Sequence, residues 1–401
     1  MKWMKEDETL RIPIKSWCAD IEEGALAQAM DLARHPALER YVALMPDCHE
    51  GYGMPIGGVI AAKNAILPSA VGVDIGCGMV AVETNLPAER LSEMRERRAI
   101  QEMLKERIPV GEGVCHKEKQ AWEGFEEYIE KNGAVCDFPS NLDRRNLGTL
   151  GGGNHFIELQ RSDEGFVWLM IHSGSRNLGS RIEKHYQAVA KKLNEAFRVK
   201  LPNPELAFLP MDVQEGRDYF RDMMFALRYA LENRRRMMAV FKETLAEAVP
   251  DVEFIREINI HHNYAAMETH LGGKFIIHRK GATSAKEDEI GIIPGSMGTA
   301  SYIVRGLGNP ESFMSCSHGA GRRMSRVAAS KNLTVEECDA AMEGIVFERW
   351  GKYKGFDRRH KGLLDLSEAP QAYKAIEEVI AAEADLVEPM VRLTPLAVLK
   401  G

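Results

Sequence analysis

The sequence predicts an α+β fold, with β-sheets around a central site and helices outside. Three observations carry this expectation. Strand-like and helical stretches follow one another without the regular alternation of βαβ units, which argues against a doubly wound sheet. The chemically suggestive segments are scattered from residue 45 to residue 322, as in one intertwined domain rather than beads on a string. No 20–50-residue repeat, low-complexity tract or Pro/Ser-rich linker divides the 401 residues, so the expected unit is a single domain over 1–401 with room for a large core.

Residues 8–20 read as an opening strand and turn. Residues 21–35 read as a helix, with Ala25, Ala27, Met30 and Leu32 spaced for one face. A Gly-rich, β-like stretch covers 41–82. Residues 86–108, starting near Pro87, and 116–131 read as helices. Residues 146–176 return to strand, and Phe166-Val167-Trp168-Leu169-Met170-Ile171, apolar on both faces, reads as a central buried strand. Residues 180–198 and 214–248 are helical, 253–305 alternate short strands and turns, and 323–349 and 370–385 are helical again. Two helical excursions, about 86–140 and 180–250, therefore flank the sheets.

Composition narrows the class. With 45% hydrophobic and 28% charged residues the chain is globular. A net charge of −7 counts against nucleic-acid binding by bulk charge, although a local basic groove suffices for an enzyme that grips strand ends. The seven cysteines (18, 48, 77, 115, 136, 316 and 338) form no disulfide ladder, the N-terminus has no apolar signal core, and no run of about 18 apolar residues marks a membrane span. The reading is a cytoplasmic, reduced protein with no membrane partner, whose cysteines are structural or metal-binding.

Seven segments carry chemistry. Met45-Pro46-Asp47-Cys48-His49 puts a carboxylate, a thiol and an imidazole together ahead of glycines; alone it fits a simple turn. In Val73-Asp74-Ile75-Gly76-Cys77-Gly78 the glycines permit a turn that brings Asp74 and Cys77 together, and carboxylate plus thiolate suits a borderline transition metal. A buried Cys beside a turn-capping Asp explains that segment equally well. Gly151-Gly152-Gly153-Asn154-His155 exposes backbone N–H groups able to cradle phosphate, without the Walker spacing. His172 lies at the exit of the buried strand, followed by Ser173, Gly174, Ser175 and Arg176, where a satisfied core histidine is the ordinary case. His261 and His262 are adjacent, so on a strand they face opposite ways and at most one of them is a ligand from that strand. His278-Arg279-Lys280-Gly281 and Gly295-Ser296-Met297-Gly298-Thr299-Ala300-Ser301 suit a phosphate-rich ligand. Ser317-His318-Gly319-Ala320-Gly321-Arg322-Arg323, with Arg326 beyond, leaves His318 approachable among small residues and beside a positive wall. Together these segments describe a metal site beside a polyphosphate site.

At this point the sequence becomes recognisable. The segments 45–60, 71–79, 148–158, 171–179, 258–265, 277–284, 293–306 and 315–326 resemble, in order, the signature blocks of the RtcB RNA ligases. Pro370, Tyr373 and the ending Val398-Leu399-Lys400-Gly401 resemble that family's ending, so the resemblance covers essentially the whole chain. It implies a GTP- and manganese-dependent ligase joining an RNA 2′,3′-cyclic phosphate or 3′-phosphate end to a 5′-hydroxyl end, in tRNA splicing or RNA repair. The family's guanylylated histidine falls on His318 and its orienting carboxylate on Asp47. Its ligands for two manganese ions fall on Asp74, Cys77, His155, His172 and His262. Positions holding GTP fall on Asn154, Glu158, Ser301, Ala320, Gly321 and Lys400, and basic residues suited to RNA phosphates on Arg176, Lys280 and Arg326. The resemblance also allows for an archease-like activator protein. Ligand chemistry by itself would favour zinc; manganese comes from the resemblance. The competing readings are a dinuclear metal phosphodiesterase, which needs the metals but not His318, Glu158 or Lys400, and an RNA-binding factor with a vestigial site.

Overall fold

The computed structural model describes residues 1–132, 138–352 and 363–401. Cys136, and residues 133–137 of the expected first helical excursion, lie outside the described residues; the other six cysteines are free thiols. The architecture is α+β, built on two large sheets. One has six strands in the spatial order Trp3–Lys5, Ile14–Ser16, Leu38–His49, Ile56–Ala62, Gly273–Lys280, Asn263–His270. The other has seven, in the order Phe254–His261, Gly78–Pro87, Phe166–Ser173, Phe156–Ser162, Val387–Lys400, Ser301–Gly306, Ile290–Ile293. Ile258 of its first strand and Ile292 of its last share one apolar cluster, so the sheet curls back on itself.

Period-2 alternation sorts the side chains. In Leu38–His49, Ala43 and Met45 join Trp17, Val59 and Ile277 on one face, while Val42 and Leu44 pack with Ala25, Ala29 and Leu32 of the helix Glu23–Ala33 on the other. In the seven-stranded sheet, Phe156, Trp168 and Met170 face the inside of the curl. Ile157, Leu169 and Ile171 face outward, against the helices Met94–Arg107 and Gln214–Ala248. Phe166–Ser173 is an interior strand, as its unbroken apolar run requires.

Three expectations are corrected. The segment 323–349 holds two short helices, Arg326–Asn332 and Val335–Ala340, each started by its own cap, Ser325 and Thr334, and then turns. The helix expected over 116–131 is confined to Glu123–Asn132. In the first helix Ala27 is exposed and Ala29 takes the buried stripe position instead. The strand Val387–Lys400 was not anticipated, although it is the longest strand among the described residues and interior to its sheet. Among the described residues no helix is long and apolar enough to cross a membrane.

Candidate active site: a Cys/His cluster and a nucleotide-sized cavity

The turn between Asp74 and Cys77 closes as glycine allows: Gly76 takes φ +79°, and the Cys77 N–H donates to the Asp74 carbonyl at 3.0 Å. Gly78 then lies so close to the Ile260 carbonyl that a Cβ there would sit 1.9 Å from its oxygen. Cys77 is thereby aimed at two histidines of the neighbouring strands, with its Sγ 3.2 Å from His172 Nε2 and 3.4 Å from His155 Nε2. His262 Nε2 lies 3.0 Å from His172 Nε2, and Asp74 Oδ2 lies 3.2 Å from His155 Nε2. Among the described residues, Cys77, His155 and His172 form a group compact enough to hold a metal ion.

Proton placement shows what the cluster presents to a cation. Nδ1 of His155 faces the Leu150 carbonyl and Nδ1 of His172 the Asn154 carbonyl, each at 3.1 Å. A carbonyl can only accept, so Nδ1 carries the proton on both rings and their Nε2 lone pairs point inward. There they meet a thiol, a carboxylate and another imidazole. Burial, with the fields of His155 and His318, pushes His172 well below the usual imidazole range, and burial and His318 do the same to His262, so both rings are held neutral. Burial and the Asp74 carboxylate push the Cys77 thiol well up. The donors present, one carboxylate, one thiol and three imidazoles, fit a divalent cation.

His261 faces away, with its Nδ1 against the Gly76 carbonyl and Arg234, each at 3.1 Å. His262 sits where the chain leaves the seven-stranded sheet for the six-stranded one. Arg234 also bonds the Gly76 and Ser173 carbonyls at 2.9 Å and Asn259 at 2.8 Å, beneath the cluster. Its neighbour Asn233 ties Gly148, Thr149 and Ser173. Neither residue was anticipated, because both lie in a highly charged stretch of the long helix.

Beside the cluster, His318 donates from Nδ1 to Asp47 Oδ2 at 2.6 Å, and its backbone N–H donates to the same oxygen at 3.1 Å. Asp47 is fully buried, which holds that geometry; among the described residues His318 Nε2 has no hydrogen-bond partner, and its ring stands 4.8 Å from that of His262. His318 lines a cavity of about 560 Å³ with Asn154, Phe156, His172, Tyr373 and Lys400. Strand register builds that wall: Lys400, Phe156 and His172 are direct partners across three adjacent strands.

The remaining expected residues divide. Ala320 and Gly321 line the cavity, although the Ala320 N–H is taken by the Pro294 carbonyl and Gly321, at φ +72°, packs against the Asp47 backbone. Glu158 follows Phe156 on the same strand face, one step behind the lining, accepting from Gln160 at 2.6 Å; burial pushes its carboxyl up to about 8. Ser301, also behind the lining, receives Gln160 and the Gly295 N–H. Arg176 lies against Gly151 and Arg326 against Gly153, flanking the triple-glycine loop. Lys280 is buried elsewhere, its ammonium donating to the carbonyls of Tyr52 and, at 3.0 Å, Ser69.

The comparison with known proteins then decides the family. The profile of the tRNA-splicing ligase RtcB family matches residues 28–401. The chain belongs to the RtcB family. It is 38% identical to the RNA-splicing ligase RtcB of Escherichia coli strain K12, over 98% of both chains. It is 31% identical to the tRNA-splicing ligase RtcB of Thermococcus kodakarensis, over 99% of this chain and 96% of that one. RNA-splicing ligase RtcB homolog 1 of Entamoeba histolytica is 31% identical over 94% of this chain. In this RtcB chain both large sheets contribute to the site, with Asp47 from the six-stranded sheet and His155 and His172 beside or within strands of the seven-stranded one.

Proposed function

We propose that this RtcB-family RNA ligase activates RNA ends through a guanylylated His318, taking GMP from GTP with manganese at the Cys/His cluster. The observation that carries the reading is the pinned imidazole: Asp47 fixes the His318 proton on Nδ1 and so leaves Nε2 as a free nucleophile on the cavity wall, next to the cluster. Nε2 attacks the α-phosphorus of GTP; an N–P bond forms and the bond to pyrophosphate breaks. The ring gains positive charge as it does so, and the buried Asp47 carboxylate stabilises that charge at Nδ1. Manganese held by Asp74, Cys77, His155, His172 and His262 would neutralise charge on the phosphates. GMP then passes to an RNA 3′-phosphate, produced by opening a 2′,3′-cyclic phosphate. The 5′-hydroxyl attacks the resulting RNA(3′)pp(5′)G end, and GMP leaves.

The cavity supports a purine nucleotide, because Phe156 and Tyr373 offer aromatic faces and Lys400 an ammonium. Asn154, Ser301, Ala320 and Gly321 complete that pocket in this reading. Glu158, as a carboxylate, would accept from guanine N1–H and the 2-amino group, a donor pair that adenine lacks. Arg176 and Arg326, on either side of the glycine loop, suit RNA phosphates; Lys280 would have to release two carbonyls to join them. Drawing on both sheets supports treating the chain as one catalytic unit.

The test is incubation with manganese and GTP labelled at the α-phosphate. Acid-labile, alkali-stable label on the wild type, absent from His318→Ala and absent with ATP, is the expected result. An unlabelled wild type across manganese, cobalt and zinc would sink the reading in favour of a metal phosphodiesterase.

A further inference from the structure

One cavity-lining carboxylate belongs to none of the roles above. Glu368 stands just before the short 3-10 turn Pro370–Ala372, and its side chain is only 12% exposed. Its Oε2 accepts from the Tyr373 hydroxyl at 2.6 Å and from Lys400 Nζ at 2.9 Å. Its Oε1 accepts from Arg322 at 3.2 Å and from Arg326 Nε at 3.4 Å. Burial pushes this carboxyl up, yet Lys400, Arg326 and Arg322 outweigh it and hold the group down at about 2.

The four partners are held to different degrees. Arg322 is fully committed: its remaining donors bond the Ser367 carbonyl at 2.6 Å and the Met324 carbonyl at 3.0 Å, and its guanidinium lies 4.9 Å above the Tyr373 ring. Arg326 meets Glu368 through a single long contact and its side chain is half exposed, so its fork stays available. Lys400 has its backbone fixed opposite Phe156, but its four-carbon stem would otherwise be free to swing. Glu368 takes one of its three donors and holds the ammonium 5.6 Å from the Phe156 ring. The Tyr373 ring is held by the same carboxylate and by Arg322.

We propose that Glu368 is the positioning residue of the base end of the cavity, holding the Lys400 ammonium and the Tyr373 ring preorganised against Phe156 so that a flat, acceptor-bearing purine meets fixed partners. The inference rests on the nucleotide reading above and deepens it. Glu368 acts through Lys400 and Tyr373, and the phosphates of the nucleotide lie outside its reach.

Equilibrium binding by calorimetry, in manganese, tests this with two probes: an α,β-methylene analogue of GTP, which cannot transfer GMP, and inorganic tripolyphosphate, which has no base. Glu368→Gln puts an amide N–H against a cation that Glu368 now accepts from, so it should not restore the hub. The expected result is about ten-fold weaker binding of the analogue by Glu368→Gln and by Lys400→Met, with the double variant no weaker than Lys400→Met alone. Tripolyphosphate should bind Glu368→Gln as tightly as wild type or tighter. Tyr373→Phe, which keeps the ring and loses only the hydroxyl held by Glu368, should weaken the analogue about two- to three-fold, and serves if Glu368→Gln fails to fold. Wild-type affinity in Glu368→Gln, additive losses in the double variant, or an equal loss of tripolyphosphate would each overturn the proposal. A wild type that binds the analogue but takes no label from GTP refutes the guanylylated histidine and leaves Glu368 standing; a wild type that binds neither probe sinks both.

Discussion

At one end of the cavity a thiol, a carboxylate and three imidazoles crowd together; at the other every charge already has a partner. Around Cys77, two Nε2 atoms with their protons placed elsewhere converge on a thiol within 3.4 Å. Around Glu368, one carboxylate satisfies a lysine, a tyrosine and an arginine within 3.2 Å. The first end gathers the donors that a cation would take, and the second is finished without a guest. Loss of a residue from the first should therefore remove function outright, while changes at the second should tune affinity.

The largest effect that sharpens the contrast is expected at the first end. Chelation, or Cys77→Ala, should lower His318 labelling at least about a thousand-fold, because a cation held there would neutralise charge on the phosphates in the proposed reaction. Manganese at a hundred times its Kd should also raise unfolding stability by about 2.7 kcal/mol in wild type, and by far less in Cys77→Ala. Equal melting temperatures with and without manganese would break the comparison at its base.

Asp47→Asn comes next. The amide leaves the shape intact but can present a donor to Nδ1, moving the imidazole proton to Nε2. Labelling by GTP should fall by about 10³-fold, with metal affinity from calorimetry unchanged. A matching loss of metal would place Asp47 in the cluster rather than behind the nucleophile.

A smaller effect lies behind the base wall. Burial raises the Glu158 carboxyl from its ordinary 4.5 to about 8, so the folded protein keeps a proton there that the unfolded chain loses. The sign follows: the contribution of Glu158 to stability is complete below pH 4.5 and is lost as pH rises through about 8. If guanine requires the carboxylate, binding expels that proton, and affinity for the α,β-methylene analogue should climb up to about ten-fold per pH unit until about pH 8. Glu158→Gln should flatten the profile. A flat wild-type profile would mean that Glu158 does not read the base.

The smallest change is expected at the rim. Arg326→Ala should leave labelling by GTP within about two-fold and lower the salt slope of RNA binding by about one. A collapse of labelling would instead make Arg326 part of the nucleotide pocket.

Much of this site was legible because its parts are local. Asp74 and Cys77 are three residues apart, and Gly76 supplies the conformation that joins them. Strand alternation was enough to say that His261 and His262 could not both be ligands of one strand, and the structure turns His261 onto Arg234. What stayed hidden depends on distant contacts. Arg234 sits beside three other charged residues, Glu232, Arg235 and Arg236, and only the packing of its helix against the turn at Gly76 buries it. Glu368 has no glycine or histidine beside it to mark it, and its partners come from as far away in sequence as Arg322 and Lys400. The strand Val387–Lys400 was missed because Pro389 and Pro395 interrupt its alternation; both fall at register shifts, where the ladder gives way. The helix expected over 323–349 failed for the opposite reason, since good helix formers there are broken up by the second cap at Thr334.

His262 has a mechanical consequence. It is the single residue between a strand of one sheet and a strand of the other, and its N–H is bonded to the Cys77 carbonyl at 2.9 Å. A cation shared by His262, Cys77 and His172 would act as a rivet through both sheets, so that sliding one past the other stretches its coordination. Filling the site should then slow amide exchange far from any ligand, in the hairpin of Asn263–His270 with Gly273–Lys280 as well as in Gly78–Pro87.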